Sequence, residues 1–195
     1  SILIGGFMRL PDMEDNVRKS FKNYAKNLIS QSIKNLDYIF FFNNSCMKII
    51  QSQYDVPDYK CGVLNFGVDT DFWCPNKTTK AFGILAVGSD PSRNYNVLEN
   101  IKIKDNITII TSHKLKKLDK INNIKIINGN FYNSKISDCE LRKFYRDTFV
   151  VLVPLKDVNQ PVGQSVVLHA MAVGKPVIFT KIKGHWSEKL ISWKN

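Results

Sequence analysis

DVNQPVGQSVVLHAMAVGKPVIFTKIK, residues 157–183, holds a turn, a helix and a strand in succession, and its reading decides the fold. Just before it, residues 149–153 form a continuous apolar run that stops at Pro154, which is the composition of a strand buried on both faces. After the polar loop, Gly163-Gln164-Ser165 opens a segment that carries Val166, Val167, Ala170, Met171 and Val173 at helical spacing. Gly174 stands where a left-handed residue ends a helix, and Pro176 prevents continuation. Residues 177–179 then read as a second buried strand. Strand, loop, helix and strand in this order make a right-handed parallel crossover, with the loop and helix start at the carboxyl edge of the sheet. Open parallel sheets bind their ligands at that edge. The start of a helix there offers unpaired N–H groups and the positive end of the dipole, Gly163 permits close approach, and Ser165 adds a hydroxyl, a combination that suits a phosphate. Ser165 reads equally as the N-cap of a core helix.

Outward from this stretch the alternation continues. Towards the N-terminus, strands are expected at 83–87, 106–110 and 124–127, with a short helix over 94–101. A capping box, Ser137 with Glu140, starts a helix through Leu141, Phe144 and Tyr145. Before residue 67 the pattern gives a strand at 1–6 and a long amphipathic helix from an N-cap at Asp12 to Leu36. A buried strand follows at 38–42, then a helix capped by Asn44 or Ser45, and a strand at 61–64. Residues 67–80 have no period and read as a linker, in which Asp69 and Asp71 form turn hydrogen bonds. The fold class is therefore α/β, with Rossmann-like parallel sheets covered by helices on both faces.

Composition narrows the function. The chain has 195 residues, 44% of them hydrophobic, and a formal charge of +11. No apolar run approaches the roughly 20 residues needed to cross a bilayer, and no export signal is visible, which points to a cytoplasmic protein. The four cysteines form no C-x-x-C pair and have no histidine at zinc spacing, so the expected metal set is none. The basic residues are mostly dispersed lysines, and the one dense group, Lys114, Lys116, Lys117 and Lys120, lacks interleaved aromatics. Nucleic acid is thereby disfavoured as a partner, whereas peripheral contact with an anionic membrane at its inner face is allowed.

Three motifs in order carry a resemblance. GQSVVLHAMAVGKPVI resembles the donor-binding signature of glycosyltransferases with the GT-B fold, of the group 1 or family 4 type. NFGVDTDFWCP, residues 65–75, is similar to their interdomain connection, and ILAVGSDPSRNYNVL, residues 84–98, to the first strand and Arg-bearing loop of their C-terminal domain. The resemblance implies a two-domain architecture truncated at both ends. Residues 1–66 would be the end of an acceptor-side domain, 67–80 the linker, and 81–195 a donor-binding domain incomplete at its C-terminus. It further implies transfer of a sugar from a UDP-, GDP- or ADP-sugar to a glycan or lipid-linked acceptor in polysaccharide or glycoconjugate synthesis, without a cofactor. The general base would come from the acceptor-side domain and is not identified.

On this resemblance the donor diphosphate falls to Gly88, Arg93, Gly163, Gln164 and Ser165, since a guanidinium holds two phosphate oxygens at once. His169 and Gln160 would meet the ribose or sugar, in a region where such enzymes carry two glutamates that this chain lacks. Thr111, Ser112 and His113 follow a strand end and are candidates to line the cleft. The absent acids admit two alternatives, an inactive nucleotide- or sugar-binding module of the same fold and a sugar-nucleotide epimerase.

Overall fold

The computed structural model describes residues 2–7, 21–76, 81–129 and 136–184. The expected helix start at Asp12 lies outside them. The chain divides into two compact units, one of residues 1–66 with 157–161 and 182–195, the other of residues 67–156 with 162–181.

The first unit is a parallel sheet of β1 (Ile4–Phe7), β2 (Tyr38–Phe41) and β3 (Cys61–Val63), with helices α1 (Lys22–Asn35) and α2 (Asn44–Tyr54). Alternation along β2 turns Ile39 and Phe41 into a core with Ile33, Cys46, Ile50, Val56 and Cys61. The N-cap of α2 is Asn43, not the expected Asn44 or Ser45. Asn43 alone has the extended backbone (φ −155°, ψ 158°) that lets its Oδ1 accept from Cys46 N at 3.0 Å. Its Nδ2 donates to the Gly184 carbonyl at 2.9 Å, and Gly184 N donates to Val158 O at 2.7 Å, so late segments of the chain complete this unit.

The second unit is a five-stranded parallel sheet of β4 (Ile84–Val87), β5 (Ile107–Thr111), β6 (Ile124–Asn128), β7 (Val150–Val153) and β8 (Val177–Phe179), in spatial order β6-β5-β4-β7-β8. The chain moves from β4 outward to β6, then returns to the other side of β4 through α3 (Asp138–Asp147), β7 and α4 (Gln164–Ala172). The order reverses between β4 and β7, and their carboxyl ends frame the switch point of the sheet. Ala86, Ile107 and Ile109 pack with Tyr95, Leu98 and Leu118 on one side.

The expected helix over 94–101 is a 3-10 turn, Tyr95–Asn100, because Asn94 (φ −118°, ψ 67°) provides no side-chain cap and the segment is too short to propagate. The capping box of α3 forms as expected from Ser137 and Glu140. Helix α4 ends in a left-handed Gly174 (φ 73°), whose N–H donates to Met171 O at 3.0 Å while Lys175 N reaches Ala170 O at 2.8 Å, the paired bonds of a Schellman ending.

Candidate functional site

Two loops meet at the switch point. After β4 the chain turns at Gly88 (φ 137°) and runs back along the residues after β7, with Asn94 N donating to Pro154 O at 3.0 Å and Lys156 N to Ser92 O at 2.8 Å. Arg93 and Leu155 form an isolated antiparallel bridge between these bonds. The backbone of Arg93 is thus fixed, and its side chain turns inward. Arg93 is only 6% exposed, and its Nε and Nη1 have no hydrogen-bond partner.

The two glycines explain how the guanidinium fits. A methyl group at Gly88 would lie against Nε and 2.7 Å from Cζ, and one at Gly163 would lie 3.4 Å from Nη1. Gly88 therefore opens room for Arg93 rather than for a ligand directly. Gly163 (φ 80°) is the N-cap of α4 and supplies no side-chain cap, which leaves Ser165 inside the first turn and not at the cap. The positive end of α4 and the buried guanidinium consequently face the same place. Burial holds the Arg93 pKa below its ordinary value, with the fields of Tyr95, Tyr145 and Asp90 opposing. Among the described residues Arg93 makes no ion pair. Asp90, the nearest acid in sequence, accepts through Oδ1 from both the N–H and the hydroxyl of Ser92.

A buried cation without an anion costs several times what an ordinary hydrogen bond returns. Hydrogen bonds tie the surrounding loops together. Tyr95, whose phenol is pushed up to about 12 by burial, donates to the Gly88 carbonyl at 2.7 Å. Ser89 Oγ donates to Gly129 O and accepts from Ser112 N, each at 2.8 Å, tying together the loops that follow β4, β5 and β6.

Gly88, Arg93 and Gly163 are brought together by these contacts, and Gln164 (5% exposed) and Ser165 open the same helix. The other candidates have these surroundings. Thr111 is 1% exposed and its hydroxyl accepts from His113 N at 3.1 Å, so it is an internal support; Ser112 is exposed, and His113 Nε2 lies 3.2 Å from the Ser89 carbonyl with its ring edge-on to Tyr95. Gln160 is buried and belongs to the first unit, whereas His169 belongs to the second. His169 stacks on Trp73 (centroids 3.8 Å apart, planes 12° apart), and its ring is perpendicular to that of Tyr145 at 5.8 Å. Burial lowers its pKa, partly offset by Asp138, so the imidazole is neutral at pH 7.

Sequence reasoning missed Trp73 and Tyr145. Trp73 sits in the supposed linker, yet it is 7% exposed and packs on Tyr145 at 5.5 Å. A tryptophan amid an aperiodic stretch is the signal that was available. Asp69 behaves as expected, its Oδ1 accepting from Asp71 N and Phe72 N. Among the described residues no three His, Cys, Asp or Glu side chains converge as a metal site, and no helix is long and apolar enough to cross a membrane.

No family model matches the chain, and no curated protein matches it in sequence. Solved structures do. Sucrose-phosphate synthase from Thermosynechococcus elongatus is similar over 93% of this chain and 50% of its own, with a TM-score of 0.69 and 13% identity. Anabaena HepE in complex with UDP and glucose is similar over 94% of this chain and 54% of its own, at a TM-score of 0.63 and 12% identity. A glycosyltransferase from Rickettsia africae covers 87% and 50%, with a TM-score of 0.57 and 16% identity. The chain spans about half the length of the structures it matches. Its α/β Rossmann-like fold is that of GT-B glycosyltransferases.

Proposed function

We propose that the chain is the donor-binding part of a glycosyltransferase, which transfers a sugar from a nucleoside-diphosphate sugar to a glycan or lipid-linked acceptor in the synthesis of surface polysaccharide or glycoconjugate. The observation that carries this reading is Arg93, a buried arginine with two unpartnered N–H groups at the switch point of a parallel sheet, beside an uncapped helix start. In this reading Gly163, Gln164 and Ser165 present backbone N–H groups to the diphosphate, and Arg93 neutralises the charge that grows on it as the glycosidic bond to the sugar breaks. The ring edge of His169 meets a hydroxyl of the ribose or sugar. HepE, which shares the fold, has been solved with UDP and with UDP-glucose, which favours a uridine diphosphate donor. The protein acts in the cytoplasm or at the inner face of the membrane.

A second reading is a nucleotide- or sugar-binding module without transfer activity. It is favoured by the neutral, aromatic-stacked His169, which cannot stabilise positive charge on a sugar as a carboxylate does.

Thermal unfolding against UDP, GDP, ADP and CDP tests the site. At a hundredfold excess over the dissociation constant a ligand stabilises the folded chain by about 2.7 kcal/mol. A shift with one base and none in Arg93→Ala is expected. Absence of a shift with every nucleotide refutes the donor site. Nucleoside diphosphate released from a nucleotide sugar in the presence of acceptor separates the transferase from the binding module.

A further inference from the structure

Two 3-10 turns, Tyr95–Asn100 and Leu118–Lys120, and the segments beside them cover one face of the sheet in the second unit. Tyr95, Leu98, Ile103, Leu115, Leu118 and Ile121 are the anchors of this layer and pack with apolar residues of β4, β5 and β6. The lysines that alternate with these anchors, Lys102, Lys104, Lys114, Lys116, Lys117 and Lys120, are all exposed. The segments that carry them are fastened to one another. Lys117 Nζ donates to Glu99 Oε2 at 3.0 Å, and Asn123 Nδ2 donates to the carbonyls of Ile103 and Asp105, each at 2.8 Å. The lysines therefore share one outer surface.

Its charge is one-sided. Residues 95–121 hold three acids, Glu99, Asp105 and Asp119, of which Glu99 is engaged by Lys117, so five lysines stand against two carboxylates. Two aliphatic side chains emerge among them, Val97 at 38% exposed and Ile101 at 53%. Composition distinguishes the polyanions that could fit. Nucleic acid is gripped by arginine forks and stacked on aromatic rings. Residues 95–121 contain no arginine, and their only Phe, Trp or Tyr is the buried Tyr95. A lysine is a mobile point charge on an apolar stem, which suits a fluid layer of phosphate headgroups, and an exposed isoleucine can enter the acyl boundary below them. We propose that this surface docks the protein on an anionic lipid bilayer. The docking uses none of the residues proposed to bind the donor and holds whether or not they do.

The test is co-sedimentation of the chain with vesicles of phosphatidylcholine, alone or mixed with an equal part of phosphatidylglycerol. Binding is expected to the mixed vesicles only, weakening as salt is raised. Each lysine near an anionic surface contributes about fivefold to partitioning. The variant Lys102→Gln, Lys104→Gln, Lys116→Gln, Lys120→Gln should therefore bind about a hundredfold more weakly or worse, with its unfolding temperature unchanged. Ile101→Ser should weaken binding at every salt concentration. A matched variant, Lys26→Gln, Lys34→Gln, Lys48→Gln, Lys143→Gln, carries the same net charge and should bind as the wild type does. Equal losses in the two quadruple variants overturn the inference, because net charge alone would then account for the binding. Failure of the folded wild-type chain to bind the mixed vesicles also overturns it. So does tighter binding to single-stranded RNA that the first variant loses and Ile101→Ser leaves intact, which would assign the surface to nucleic acid. Stabilisation by UDP, measured on the same samples, is expected to be unchanged in both quadruple variants and reports separately on the donor site.

Discussion

Replacing Arg93 by methionine should make the protein more stable and less able to bind. The side chain is 6% exposed and two of its N–H groups are unpartnered. Each such group forfeits about 1–3 kcal/mol of solvation that folding does not return. Methionine is of similar length and flexible enough to fill the slot between Gly88 and Gly163 without a charge. The expected gain is about 1–3 kcal/mol in the second unit. At roughly 4 °C per kcal/mol for a unit of this size, its melting temperature should rise by several degrees. Stabilisation by UDP should disappear in the same variant, since the charge-assisted bonds to phosphate, about 1.5–3 kcal/mol each, are gone. The assay is thermal unfolding of both chains with and without UDP. A fall in stability of 1 kcal/mol or more in the ligand-free variant would refute the reasoning, because it would mean that the guanidinium is already satisfied and has a structural task.

Four further outcomes follow from the same geometry. Gly88→Ala forces a side chain onto the Arg93 guanidinium at a φ of 137°, so it should destabilise by about 1–3 kcal/mol. Denaturant titration of Gly88→Ala, Arg93→Met and the double variant should show part of that loss recovered once the guanidinium is gone. His169 has a pKa depressed below its ordinary 6.5, so the unfolded chain takes up its proton first. The stability that neutral His169 contributes is present above pH 6.5 and is lost as pH falls towards its folded value; unfolding temperatures between pH 7.5 and 5 should decline less steeply in His169→Phe, and parallel profiles would exclude the effect. Ser137→Ala removes the capping box of α3 and should cost about 1 kcal/mol, read by chemical denaturation. Asn43→Ala should cost more than Ser137→Ala, because it removes both the cap of α2 and the buried bond to Gly184.

Most of the fold was legible because local signals agreed. The apolar run before Pro154, the Gly174 and Pro176 stop, and the Ser137 and Glu140 box each specify an element with little help from the rest of the chain, and each formed where expected. Where the signal was ambiguous the backbone chose. Asn43, Asn44 and Ser45 are all competent caps, and only the extended conformation of Asn43 on leaving β2 decided among them. The short segment after Asn94 had helical composition but no cap, and it closed as a 3-10 turn.

The sequence by itself determined the rhythm of strands and helices, the sharp ends of α3 and α4, and the three ordered motifs that point to a nucleotide-sugar enzyme. Tertiary structure alone decided what Arg93 is. Its burial depends on β7 lying beside β4, a neighbour 66 positions away in the first register pair, Ile84 with Val150, and on two glycines from different loops that vacate one slot. It also decided that Trp73 leaves the linker to stack on His169 and that Gln160 packs in the other unit from His169. Helix and turn signals act over a few residues and are written in order along the chain. The order of strands in the sheet is set by burial of apolar faces over long separations, and any site assembled at the switch point inherits that dependence.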